Sequence, residues 1–306
     1  MRSLTSLAVK GLLAGSLLLS GAAGAADIEM KASHQWPGGK GDIRDEMVQM
    51  IARHMADSKS GVNITVYPGK SLYKPKEQWS PLTKGKLDIT AFPLAYAGGK
   101  HPEFNLTLMP GLVKNHDHAK RLNKSEFMNR IKKIMDDAGV MVLADTWLAG
   151  GFVSKERCVL VPEDVKGLKF RAAGKAFNQM LAAAGASIAS MPSSEIYTGL
   201  QTGVIDSANT SSSSLVSYRI YEQVSCLTAP GANALWVMYE PILMSKKSFA
   251  KLSEAQQKEI LKAGKMAEEF ASKASKEADQ KLVDAYKNAG VKAVSYTHLT
   301  LPTTPY

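Results

Sequence analysis

The sequence predicts an α/β protein of two domains, each a sheet covered by helices on both faces. Three observations lead there. Apolar residues recur at a spacing of two and then of three to four in regular alternation, the 306 residues exceed what one core ordinarily organises, and the alternation starts afresh after Gly150-Gly151. With 45% hydrophobic and 22% charged residues the chain can bury a core and falls outside the disordered class. Its 24 glycines, 13 prolines and two cysteines exclude collagen-like, zinc-ribbon and disulfide-scaffold proteins.

Taken in order, residues 27–33 (DIEMKAS) alternate as a strand, and the loop from His34 through Trp36 to Lys40 breaks it. A helix follows over 42–58, with Met47, Met50, Ile51 and Met55 on one face. VNITVY at 62–67 is the next strand, Pro68-Gly69 turns the chain, 76–84 supply a helix and 87–92 a strand. A helix over 120–138 and a strand over 140–146 continue the pattern. The second unit has strands at 152–155 and 168–172 around a Pro162-Glu163-Asp164 turn, a helix over 176–184 and a short segment at 187–191. Pro192-Ser193-Ser194-Glu195 opens a helix over 196–202, with a serine as N-cap and a carboxylate in the favourable first turn, and Gly203 closes it. A polar run leads into a helix over 215–223, then a strand over 235–244, then a long helix from Ser253 through Asn288 whose Glu/Lys spacing of four marks a solvated face.

The two ends read differently from the middle. Arg2 and Lys10 flank an apolar run that gives way to Gly21-Ala-Ala-Gly-Ala-Ala26, the basic, apolar and small order of a secretory signal peptide over 1–26, and the apolar run is shorter than the roughly 20 residues a bilayer requires. No later stretch is long and apolar enough to span a membrane, so an exported, soluble periplasmic protein is expected. At the other end, 294–306 changes composition abruptly. Val294-Ser-Tyr-Thr-His-Leu-Thr-Leu-Pro-Thr-Thr304 reads as a translated sequencing adapter, so no function is assigned to it, His298 included; a genuine Thr-rich tail is the alternative.

Two motifs carry a resemblance. Pro162-Glu-Asp-Val-Lys-Gly-Leu-Lys-Phe-Arg171 and Ile196-Tyr-Thr-Gly-Leu-Gln-Thr-Gly-Val-Ile-Asp206, supported by Tyr67-Pro-Gly-Lys-Ser-Leu72, Lys84-Gly-Lys-Leu-Asp-Ile89 and Leu252-Ser-Glu-Ala-Gln-Gln257, resemble in kind and order the solute-binding proteins of TRAP (tripartite ATP-independent periplasmic) transporters, the C4-dicarboxylate-binding family. The resemblance implies a periplasmic binding protein-like fold: two α/β domains joined by crossing strands, with a ligand cleft between them. Domain I would be 27–149 plus 235–293 and domain II 150–234. It also implies a receptor, not an enzyme, that closes on a small organic acid and docks on the small and large permease subunits for ion-gradient-driven uptake. No cofactor or metal is implied, and a monomer is expected.

Arg171 matches the arginine that clamps the substrate carboxylate in that family, and it ends a predicted strand, where open α/β sheets present ligands. A planar guanidinium pairs bidentately with a carboxylate as lysine cannot; the other reading is a surface pair with Asp164 or Glu163. The ligand-bonding asparagine of the family falls on Thr210, or on Asn209 with a shift of one, in the run Asp206-Ser-Ala-Asn-Thr-Ser211-Ser-Ser-Ser214, whose hydroxyls and N–H groups could cradle an anion or form only a polar loop. The family's extra basic residue falls on Gly151 or Phe152. With Trp36, Tyr96, Trp147 and Trp236 near predicted strand ends, the cleft is expected to be aromatic and singly basic, suited to a monocarboxylate with an apolar or compact hydroxylated body, unless these rings are core.

The net charge of +10, or +8 without Arg2 and Lys10, comes from scattered residues and does not describe a nucleic-acid surface. His116-x-His118 lacks neighbours at metal-ligand spacing. Cys158 and Cys226 fit either a disulfide or two thiols. A periplasmic sensory binder would use the same fold, and an exported hydrolase would need Ser211–Ser214 to find a histidine base, for which there is no G-x-S-x-G elbow.

Overall fold

The computed structural model describes residues 27–295; the expected export segment 1–26 and residues 296–306 of the tail lie outside the described residues. The chain begins with β1 (Ile28–Ser33), α1 (Ile43–Asp57), β2 (Val62–Tyr67), α2 (Trp79–Lys84), β3 (Ile89–Ala91), α3 (His116–Leu122), α4 (Glu126–Asp137) and β4 (Val140–Ala144). It continues through β5 (Trp147–Ser154), β6 (Lys169–Arg171), α5 (Lys175–Ala183), β7 (Ser187–Ala189), α6 (Ile196–Gln201), β8 (Ser207–Ser211), α7 (Ser212–Ser217) and β9 (Cys226–Ala229). It ends with β10 (Val237–Tyr239), β11 (Ile242–Ser245), α8 (Lys246–Phe249), α9 (Glu254–Asn288) and β12 (Lys292–Ser295).

These elements form two lobes. The first sheet has the order β2-β1-β3-β11-β4, with β1 parallel to its neighbours and β11 antiparallel to both of its own. Its two faces bury separate cores: Met47, Ile51 and Met55 of α1 with Ile260, Ala263 and Ala267 of α9 on one side, Leu82 of α2 with Met128, Ile131 and Met135 of α4 on the other. Asp42 caps α1 by accepting from the Arg44 N–H, and Asp45 and Glu46 complement the helix dipole. The second sheet runs β12-β9-β5-β8-β6-β7. Phe152, Phe170, Phe177 and Trp236 fill one of its faces, and Ile196, Leu200, Leu215 and Leu227 the other.

Crossing strands join the lobes. Trp147–Ala149 at the start of β5 pair with β10, while Gly150–Ser154 pair with β8 inside the second sheet. β10 then passes through Glu240-Pro241 into β11 of the first sheet. The expected two-lobed α/β binding-protein architecture is what the chain adopts. Helix α9, 35 residues and about 52 Å at 1.5 Å per residue, runs across both lobes. Its Ser253/Gln256 capping box fixes where it starts, and Gly264 lets it lie against the first sheet, since a β-carbon there would be 2.4 Å from the Leu143 carbonyl oxygen.

Several expectations are corrected. Gly150-Gly151 is not a break but the middle of β5: a β-carbon at 150 would lie 1.9 Å from the Trp236 ring and at 151 2.5 Å from the Thr228 carbonyl oxygen, so the pair is required by close packing. The single helix over 120–138 is two, because Ser125 caps α4 and stops the preceding turn. The strand over 235–244 divides at Pro241, which has no N–H to give a ladder. Residues 207–211 form a buried strand where a polar run was expected; its hydroxyls are met inside the protein, as where Ser207 Oγ donates to Ser154 Oγ at 2.9 Å. The segment 235–293 does not stay with the first domain. Leu282 and Tyr286 pack in the second core, and β12, which includes the first two residues of the 294–306 tail, pairs in parallel with β9.

Cys158 and Cys226 are bonded, with a Cα–Cα distance of 5.2 Å, and tie the loop after β5 to β9. They close a 68-residue separation, worth about 4 kcal/mol by loop entropy. The double variant Cys158→Ser/Cys226→Ser is expected to lose stability on that order, and denaturant titration of the unmodified protein with and without reductant should show the same difference. Gly150→Ala should cost about 1–3 kcal/mol through overpacking against Trp236, read from the same titration as a lower midpoint at unchanged slope.

Candidate functional site

The lobes meet at a buried seam built on Arg44, in the first turn of α1. All five of its N–H groups are used. Nε and Nη2 bind the two oxygens of Asp42 at 2.8 and 2.6 Å, Nη1 reaches Glu240 Oε2 and Ser211 Oγ, the latter at 2.8 Å, and the second Nη2 proton reaches Ser214 Oγ at 3.0 Å. The guanidinium also lies 4.0 Å over the Trp36 ring. Burial disfavours the charge of Asp42, yet the pull and hydrogen bonds of Arg44 hold its pKa below the ordinary value; for Glu240 burial prevails over Arg44 and raises the pKa. Further bonds cross the seam: Trp36 Nε1 to Ser214 Oγ at 3.1 Å, Ser217 Oγ to Asp42 at 2.8 Å, Tyr218 Oη to the Gln35 carbonyl at 2.8 Å, and the Ile43 N–H to Ser213 Oγ at 3.2 Å.

Beside the seam both lobes line one small cavity. Tyr96, Leu108 and Glu240 face Arg171, Ser193 and Thr210 across about 10 Å³, room for roughly one water. Arg171, at the end of β6, is 1% exposed. Its Nε donates to the Met191 carbonyl at 3.0 Å, Nη1 to the Asn209 carbonyl and Nη2 to Tyr96 Oη at 3.2 Å. Three of five donors are spent, one N–H on each terminal nitrogen is not, and no carboxylate pairs with it among the described residues. Burial accordingly lowers its pKa, with Tyr96 and Glu240 opposing. Tyr96 Oη, from the first lobe, also accepts the Ser193 N–H of the second at 3.1 Å.

Of the expected site residues, Arg171, Tyr96 and Thr210 come together in the cavity. The others do not line it. Asn209 gives Arg171 its backbone carbonyl, while its side chain shares the sheet face of Phe152, opposite it in the β5–β8 register. Ser211 bonds Arg44, and Trp36 covers that same guanidinium at the seam. Trp147 packs on Tyr239 with ring centroids 4.8 Å apart and donates to Asn123; Trp236 packs on Phe177 at 5.4 Å. The tryptophans are core because each sits where a strand is covered by a neighbouring element. The reading of Arg171 as a surface partner of Asp164 also falls away, since Asp164 Oδ2 instead takes the N–H groups of Leu160 and Val161.

Glu240, Ser193, Arg44 and Lys76 were missed. Glu240 had a signal, a lone carboxylate within the apolar run 235–244. Lys76 lies 6.0 Å over the Tyr96 ring but outside the cavity, whose lining holds Arg171 as its basic residue; burial and Arg171 lower the Lys76 pKa and Glu195 opposes them. Ser212 Oγ and His116 Nε2 both bond Asp279, and among the described residues none of Ser211–Ser214 is hydrogen-bonded to a histidine.

Two lobes that meet beside a buried guanidinium with donors to spare have the form of a ligand site between domains. The chain belongs to the bacterial extracellular solute-binding proteins of family 7, the DctP family of TRAP receptors, whose profile matches residues 33–302. It is 38% identical to a solute-binding protein of Albidiferax ferrireducens over 95% of this chain and 87% of that one, and 28% identical to the C4-dicarboxylate-binding periplasmic protein DctP of Rhodobacter capsulatus over 92% and 84%. A TRAP periplasmic solute-binding protein from Rhodoferax ferrireducens, crystallised with bound malonate, superposes with a TM-score of 0.84 at 38% identity, covering 87% of this chain and 85% of that one. Among the described residues no helix is long and apolar enough to cross a membrane.

Removing Arg44 would leave Asp42 and Glu240 buried without their counter-charge. Arg44→Ala is therefore expected to destabilise by about 3–5 kcal/mol, measured by urea unfolding, while Ser211→Ala, which removes a hydroxyl that accepts from Arg44 and from the Ser214 N–H at the start of α7, should cost about 1.5–3 kcal/mol.

Proposed function

We propose that the protein captures a small organic acid outside the cytoplasm, holds its carboxylate on Arg171, and passes it to the small and large permease subunits of a TRAP transporter for uptake driven by an ion gradient. The observation that carries this reading is the donor count at Arg171. Three bonds to neutral oxygens fix the guanidinium, and two N–H groups, one on each terminal nitrogen, are left to donate to a carboxylate. The charge is buried and makes no direct ion pair among the described residues, so an anion gains from it more than it would at the surface. A cavity of about 10 Å³ cannot admit an organic acid through a closed seam, so capture proceeds by parting of the lobes and closure over the ligand. The names of relatives support a carboxylate ligand: C4-dicarboxylates for one receptor, sialic acid for another and malonate in the related crystal structure. The mature protein acts as a soluble monomer and breaks no bond in its ligand.

Calorimetric titration with a panel of organic acids tests this. Arg171→Lys keeps the charge but loses the fork, and is expected to weaken the best ligand by about 10- to 100-fold, or about 1.4–2.7 kcal/mol. Full affinity in that variant would overturn the assignment of the carboxylate to Arg171.

A further inference from the structure

We infer that Glu240 sets the class of acid this cleft accepts: its carboxylate takes a hydrogen bond from a hydroxyl, amide N–H or ammonium group of a monocarboxylate and turns away a second carboxylate. This rests on the reading that Arg171 holds the first carboxylate, and it adds the residue that measures the rest of the ligand.

Glu240 lines the same cavity as Arg171 from the opposite lobe. It is 2% exposed and is held in place, its backbone N–H bonded to the Thr146 carbonyl at 2.9 Å and its Oε2 to Arg44 Nη1. Oε1 carries no hydrogen bond among the described residues, so one acceptor remains on a buried, positioned carboxylate. Arg44 cannot serve the ligand instead, because each of its five N–H groups is already bonded.

Charge gives the same answer. Two guanidinium groups, Arg44 and Arg171, and two carboxylates, Asp42 and Glu240, balance around the seam and the cavity. A ligand carboxylate on Arg171 brings the group to one net negative charge; a second would bring it to two, with Glu240 as the near like charge in a site closed to water. Lys76 is the remaining cation near the cavity, but it stands at the exposed lip, where Glu195 opposes part of its charge. The other groups turned toward this end of the cavity, the Tyr96 hydroxyl, the Ser193 N–H and Thr210, are neutral. A ligand donor at Glu240 satisfies Oε1, whereas a methylene or a carboxylate there leaves a buried acceptor unpaired or repelled.

The test is calorimetric titration of the protein with matched acids: 2-hydroxybutyrate against butyrate, pyroglutamate for a ring N–H, and malonate and succinate as dicarboxylates. The expected result is that at least one donor-bearing monocarboxylate binds at least tenfold more tightly than butyrate and than both dicarboxylates. Glu240→Gln should reduce that preference over malonate at least tenfold. Glu240→Asp keeps a charge for Arg44 and withdraws the carboxylate by one methylene; it should weaken the donor-bearing acid without improving malonate, and it decides the matter if the glutamine variant does not fold. Malonate as the tightest ligand of the wild type, no binding by any donor-bearing acid, or an unchanged ratio in the folded variants overturns the role of Glu240. In the first and third of these results, loss of binding in Arg171→Lys leaves the carboxylate assignment standing; retention of binding in that variant refutes the assignment itself.

Discussion

Arg44 is the one group on which the geometry of the cleft depends, because three separately folded parts of the chain end on it. Asp42 and Arg44 come with the start of α1, Glu240 with the link from β10 to β11, and Ser211 and Ser214 with the start of α7 in the other lobe. A buried cation is tolerable only when its donors and its charge are all met, and here they are. The division of partners matters. The carboxylates belong to the first lobe and its crossing link, while the second lobe contributes neutral hydroxyls. Parting the lobes therefore breaks hydrogen bonds between hydroxyls and the ionised Arg44 and Asp42, each worth about 1.5–3 kcal/mol net, but separates no pair of opposite charges. The seam holds a precise closed geometry without making opening prohibitive.

The same residue type does two jobs on either side of Glu240, which bonds Arg44 and lines the cavity with Arg171. Arg44 is saturated by charge and hydroxyl and is structural; Arg171 is saturated by neither, pinned by two carbonyls and a phenol so that the unspent side of its fork keeps one direction. Rigidity is what makes this useful. A guanidinium ordered before binding does not lose side-chain freedom when the ligand arrives, so more of the interaction appears as affinity. Tyr96 links that ordering to the opposite lobe, because its hydroxyl takes both Arg171 Nη2 and the Ser193 N–H.

How much of this was legible follows from which physical signals are local. Alternation of apolar residues gave the βα order, and GLKFR with a strand before it placed Arg171 where the cavity is. Strand β8 stayed hidden because it is buried yet made of Ser, Ala, Asn and Thr, so it has no apolar period to read; its polarity is answered by neighbours distant in the chain. The tryptophans misled for the reverse reason. An aromatic near a strand end reads alike whether it faces a cleft or a neighbouring element, and only the close fit of Trp236 against Gly150 decides. Glu240 was legible in principle, since a carboxylate inside an apolar run must have a partner or a task, but that its partner is Arg44, 196 residues away, is a fact of topology.

The division of the cavity between lobes connects recognition to closure. Arg171, Ser193 and Thr210 stand on the second lobe, Tyr96 and Glu240 on the first or its crossing link. A solute that gains nothing from the opposite lobe moves no equilibrium between the open and closed forms, however tightly it is held. One that also meets groups of the opposite lobe has contacts available only when the lobes are together, and each 1.4 kcal/mol of such contact shifts the population toward closure tenfold. A receptor read by a membrane partner through its closed shape thus needs the second contact as much as the first. On the proposed reading specificity enters there: an acid whose far end is repelled can reach Arg171 in the open cleft and still fail to hold the lobes shut.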